Sequence, residues 1–135
     1  MNIKNWLLRL VPAIIILQTV FRFKFPGHPD SIEIFSKVAR GALGSAEQEA
    51  LIRLSTGGVE LIAGILLLIP TTSRWGAILT FGTMMGAILS HLLFLGIDAL
   101  FFVAIIVAAC SAVVIWQERA KIPVLSQLLP THSPA

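Results

Sequence analysis

Leu54-Ser55-Thr56-Gly57-Gly58-Val59-Glu60-Leu61-Ile62-Ala63-Gly64-Ile65-Leu66-Leu67-Leu68-Ile69 is an apolar run with one carboxylate in its middle. A hydrocarbon layer about 30 Å thick needs roughly 20 helical residues to cross it, and this run with its flanks is long enough. An ionisable group at that depth is costly unless it is paired, neutralised or turned toward a polar cavity. Glu60 therefore poses the functional question, and the run around it decides the fold. Pro70 ends the run and Arg53 precedes it, giving a span at about 51–69.

Three more segments have the same character. The first span covers about 6–23, with Pro12 inside it as a candidate kink. The third covers about 75–95 and is closed by Gly96, and the fourth about 99–116, with no charge inside. Ser45-Ala46-Glu47-Gln48 reads as a capping box that starts the second helix near Ala46. Ser73 and Asp98 are expected to cap the third and fourth helices. Turns this short force spans two, three and four to be antiparallel neighbours. Lys4 and Arg9 before an apolar stretch resemble a signal peptide, but Gln18-Thr19-Val20-Phe21-Arg22 follows where a cleavage site would stand, so a retained first span is expected.

Composition agrees. The chain has 135 residues, of which 56% are hydrophobic and 13% charged. A soluble domain carries about 25% charged residues. The formal charge of +3 is dispersed, with no basic block to suggest nucleic acid. A single cysteine, Cys110, excludes an intrachain disulfide or a dithiol redox pair. The expected fold is thus all-α: one domain, an integral membrane four-helix bundle, with a C-terminal tail at 118–135.

The one long connection carries a further element. Phe25-Pro26-Gly27-His28-Pro29 cannot be helical throughout. After it, Asp30 is expected to cap a short helix at about 31–41. Ile32, Phe35, Val38 and Ala39 share one face, which suits a helix lying on the membrane surface or covering the bundle end. The Lys and Arg distribution favours both termini on the cytoplasmic side, in what is expected to be a bacterial inner membrane. Gly82-x3-Gly86-x3-Ser90 and Ala104-x3-Ala108-x3-Ala112 are small-residue edges expected to pack helix on helix.

Depth brings polar residues together. At 1.5 Å per residue, Glu60 lies about 10 Å in from Arg53, Gln18 about 6 Å from Arg22, and His91 about 7 Å from Gly96, all from one side. Arg22, Lys24, Arg53 and Asp98 ring that side. Arg53, Thr56, Gly57, Glu60 and Gly64 share a face, as do Thr80, Thr83, Ala87 and His91. The expectation is a polar pocket beneath the amphipathic helix. Glu60 and His91 are its candidate catalytic groups, and Lys24, Arg22, Gln18 and Arg53 bind ligand or pair charge. The competing reading of Glu60 is a buried ion pair with Arg22, Lys24 or Arg53 that fixes register. That of His91 is a capping or interhelical hydrogen bond. Two histidines, His28 and His91, are too few to argue for a metal or haem.

Four stretches in this order carry a resemblance: Lys24-Phe25-Pro26-Gly27-His28-Pro29, then Ile34-Phe35, then Gly58-Val59-Glu60-Leu61-Ile62-Ala63-Gly64-Ile65-Leu66-Leu67, then Ala87-Ile88-Leu89-Ser90-His91. Together they resemble the DoxX-like membrane proteins, over about residues 7–117. The resemblance implies a four-helix membrane bundle with Lys24, Glu60 and His91 in the site. Founding members of that family are subunits of a thiosulfate:quinone oxidoreductase, and others are linked to quinone or thiol stress. With no thiol pair here, a redox role implies quinone as cofactor or a partner subunit that carries one. Two other readings stand beside it: a non-enzymatic accessory or assembly subunit, alone or as a homo-oligomer, and a small proton-coupled transporter.

Overall fold

The computed structural model describes residues 3–128, and the described residues are helical with short connections and no strand. Four helices are long and apolar enough to cross a membrane: α1 (Ile3–Lys24), α3 (Ala46–Leu68), α4 (Ser73–Leu95) and α5 (Ala99–Gln117). Between the first two lies α2 (Pro29–Leu43), and after α5 comes the short α6 (Pro123–Leu128). The tail expected at 118–135 is thus helical in part, and 129–135 lie outside the described residues.

The bundle closes in the order α1–α3–α4–α5–α1, every neighbour antiparallel. Its core is a seam of small and branched residues, including Ala13 and Ile16 of α1, Ala63 and Leu67 of α3, Ala77 of α4, and Ala104, Val107 and Val114 of α5. Outside it stand Ile14, Ile62, Ile65, Leu89, Phe102 and Ile106, all well exposed. Such a surface suits acyl chains, not water. The protein is an integral membrane protein of the multi-pass type.

The ends are set by local chemistry. Asp98 caps α5, its carboxylate accepting from Phe101 N–H at 3.1 Å. Ser45 caps the single 3-10 turn that opens α3, accepting from Glu47 N–H at 3.2 Å. Gly96 ends α4 with φ +83°, a conformation that costs other residues strain. Two expected caps are displaced. α2 begins at Pro29, and His28 is its cap, its Nδ1 accepting from Asp30 N–H at 3.2 Å. Pro at the first helical position favours that earlier start. Ser73 does not cap α4: its hydroxyl donates back to Pro70 O at 3.1 Å, while Thr72 donates to Leu66 O at 3.0 Å. Thr72 thereby satisfies a carbonyl left over at the end of α3, and Ser73 one in the turn that follows it.

Two ends of the bundle differ. At the α3–α4 turn, Gly76 lies against backbone: a Cβ there would stand 2.5 Å from Leu67 N and 2.8 Å from Ala63 O. The same end carries three tryptophan–arginine stacks, Trp6–Arg9, Trp75–Arg74 and Trp116–Arg119, with centroid distances of 4.7, 5.6 and 4.2 Å. This is the aromatic and basic belt expected at a membrane–water interface. At the far end α1 and α4 both widen into π-helix, over Val20–Lys24 and His91–Leu95, and α2 lies across both. Gly41 admits the Phe94 ring of the second π segment so closely that any side chain there would collide with it.

The small-residue edges divide. Ala104 and Ala108 are buried, as expected, although Ala112 is exposed. The Gly82–Gly86 edge is not a packing seam: both glycines are exposed, and a Cβ at either would meet nothing within 4 Å. Close approach is made instead by Gly57, Gly64 and Gly76.

Candidate functional site

The site is built from the four spanning helices and a lid, α2. On α3 the face Arg53, Gly57, Glu60 and Gly64 is buried, as the sequence spacing predicts. Gly57 lets α1 come close: a Cβ there would stand 2.9 Å from the Phe25 ring and 3.4 Å from Lys24 Cβ. That approach brings the Lys24 ammonium onto the Glu60 carboxylate, where they form an ion pair and hydrogen bond. The pair is nearly dry, its side chains being 13% and 3% exposed. The ammonium also lies 5.9 Å from the centroid of the Phe35 ring on α2, within cation–π range.

Of the three partners the sequence offered for Glu60, Lys24 is thus the one. Arg53 has a different task. It is buried, donates from Nε to Glu49 at 2.6 Å, and donates from a guanidinium nitrogen to the Lys24 carbonyl. It holds the end of α1 where the backbone leaves the helix, and so positions Lys24. Arg22 and Gln18 do not join the group. Both are exposed. Gln18 lies about 200° around α1 from the buried Ile16, at 100° per residue, and Arg22 is exposed in the π segment that begins at the buried Val20. The shared depth was correct; the direction was not.

A cavity of about 740 Å³ opens beside the pair. Lys24, Glu60 and His91 line it together with Thr56, Thr83 and Ser90, but most of its wall is aliphatic and aromatic: Ile15, Phe23, Ile34, Phe35, Val59, Met84 and Val107 among others. The pocket is therefore an apolar chamber with a charged pair and an imidazole in its wall, not the polar pocket expected. Its size suits a drug-sized molecule. α2 roofs it with Ser31, Ile34, Phe35 and Val38.

His91 opens the π segment of α4 and is buried. Its Nδ1 lies 3.0 Å from Gly96 O and 3.5 Å from an Asp98 carboxylate oxygen. A carbonyl only accepts, so Nδ1 carries a proton and donates it to Gly96 O. The Phe101 ring stands edge-on at 6.0 Å. The capping role weighed for His91 is thus real, yet its ring still faces the cavity wall. Among the described residues no group of three His, Cys, Asp or Glu is placed to hold a metal ion.

Missed by the sequence reading were the two π segments, which end at Lys24 and begin at His91. π turns recur at functional sites. Together these features define a multi-pass membrane bundle with an apolar chamber and a buried Lys–Glu pair. Comparison with protein-family models, curated proteins and solved structures finds no match.

Proposed function

We propose that this chain is a quinone-associated component of a membrane redox system, of DoxX-like type. The observation that carries the reading is the chamber itself: apolar walls around one buried ammonium–carboxylate pair and one imidazole. Such walls suit a hydrophobic ring, and the few polar groups suit its carbonyl oxygens. Lys24 is the donor to an acceptor oxygen. Glu60 holds the ammonium in position and offsets the cost of a buried cation. His91, fixed by Gly96 and Asp98, is the second polar group of the wall. Quinone, when bound, supplies two-electron, two-proton redox chemistry. The electron donor belongs to a partner subunit or a second substrate, because Cys110 has no second thiol to pair with.

The chain sits in a bacterial plasma membrane with both termini cytoplasmic, in this reading. The support is the end that carries Arg9, Arg74, Arg119 and Lys121, and the tryptophan stacks beside three of them. The proton-coupled transporter is less favoured, since Glu60 is bound to Lys24 and not free to carry a proton alone.

The test is organic extraction of protein purified in mild detergent, followed by mass spectrometry, with Glu60→Gln in parallel. Stoichiometric quinone in the wild type, lost from a folded mutant, supports the reading. A wild type that carries none removes it.

A further inference from the structure

The chamber is not closed on all sides, and one of its open sides faces the bilayer. Gly86 of α4 lines the cavity and is nevertheless exposed; so are Ser55 and Val59 on the facing edge of α3. Gly82, one turn further along, is exposed too, and neither glycine has a neighbour within 4 Å of a Cβ position. At the other end of the same helix pair, Gly76 touches the α3 backbone. The α3–α4 pair is therefore pinched at its turn and parted toward α2. Nine residues separate Gly86 from the end of α4 at Leu95, a depth of about 14 Å at 1.5 Å per residue. The gap thus lies near the middle of the hydrocarbon layer.

We infer that the gap between α3 and α4, bounded by Ser55 and Val59 on one side and Gly86 on the other, is a lateral portal through which the chamber takes its ligand from the bilayer. The ligand class follows. A water-soluble molecule does not reach a gap at that depth. A chamber of about 740 Å³ holds a head and a short piece of chain, so a long chain must leave through the gap. The occupant is the isoprenoid tail of a lipid quinone, with the head inside near Lys24 and the tail among the acyl chains. Glycine at position 86 keeps the lip flat. This inference rests on the quinone reading above.

The experiment compares two probes on three proteins in nanodiscs: a polyprenyl benzoquinone and its tail-less ring analogue, with wild type, Gly86→Trp and Ile106→Trp, by equilibrium binding. Ile106 is exposed on α5, away from the gap, and serves as a control for added bulk. Expected is at least a tenfold loss of polyprenyl quinone affinity in Gly86→Trp, with ring affinity changed less than threefold and Ile106→Trp like wild type. Equal loss of both probes, or loss of neither, overturns the portal. Phospholipid displacing both probes also overturns it, by assigning the gap to an acyl chain. A wild type that binds neither probe fails the quinone reading itself, in an arm that contains no portal variant. A lipid quinone with a diazirine in its tail gives an independent readout: labelling on α3 and α4 peptides is expected, and labelling confined to α5 excludes the route.

Discussion

The two ends of this bundle are built on opposite principles. At the α3–α4 turn the helices meet backbone to backbone, with Gly76 on Ala63 and Leu67, and the core residues Ala63, Leu67 and Ala77 are fully buried. At the α2 end the same helices part around a cavity, the helical hydrogen bonding loosens into two π segments, and the buried groups are charged. Without water, packing between membrane helices rests on dispersion and hydrogen bonds. The turn end gains all it can from them. The α2 end gives up contacts for space, and charged groups hold its walls. Close packing is concentrated at one end, and the cavity and the buried ion pair at the other.

That contrast breaks most sharply at the ion pair. Removing one partner leaves the other buried and uncompensated, at a cost of about 3–5 kcal/mol. Glu60→Leu, with Lys24 kept, should lower the unfolding free energy in mild detergent by that much. The double change Lys24→Met with Glu60→Leu should restore most of the loss, since an apolar pair of similar volume is often neutral. The restored protein should still bind no quinone. Full ligand retention in the double variant would show that the pair only fixes register.

At the turn end the test is steric. Gly76→Ala sets a Cβ against main-chain atoms that cannot turn aside, unlike a side chain. Overpacking of this kind costs about 1–3 kcal/mol, and the upper part of that range is expected. Quinone retention per folded molecule should be unchanged. A loss of ligand without loss of stability would mean the two ends are coupled and not independent.

A smaller effect is expected where α2 meets α4. Gly41→Ala collides with the Phe94 ring, but Phe94 is partly exposed and its ring can swing outward. About 1 kcal/mol or less is expected from the forced rotamer. The readout is proteolysis of the α2 segment, which should quicken while α3 to α5 stay protected. Unchanged cleavage would mean the contact does not hold the roof.

How much of this was legible in the sequence follows from what a sequence encodes. Hydrophobic length fixed the spans to within a few residues, and Pro70, Gly96 and Asp98 marked ends by chemistry that acts locally. Depth was also readable: Glu60 and His91, placed at similar depth by spacing, line one cavity. Azimuth was not. Gln18 and Arg22 sit at the right height on α1 and face away, because which side of a helix is inside depends on its neighbours. The π segments left no trace in a pattern of 3.6-residue period, and they are what carry Lys24 and His91 into place. The nature of the pocket was misread for a related reason: its polar residues stand out in a sequence, and the aliphatic ones that form most of its wall do not.

The last prediction has the smallest magnitude and separates two accounts of one surface. Four-residue spacing assigns Gly82 and Gly86 to helix packing, yet among the described residues nothing packs on Gly82. Glycine inside a helix costs about 0.8–1.0 kcal/mol relative to alanine. If Gly82 faces only lipid, Gly82→Ala adds a methyl group to open space and should stabilise the protein by up to that amount. If the edge is the seam of a homo-oligomer, the same methyl group holds two backbones apart, and the protein should lose stability and become monomeric on sizing in detergent. The sign of the change is therefore the measurement. A gain leaves the gap between α3 and α4 open to the bilayer, where a lipid tail can use it; a loss fills it with a second copy of the chain.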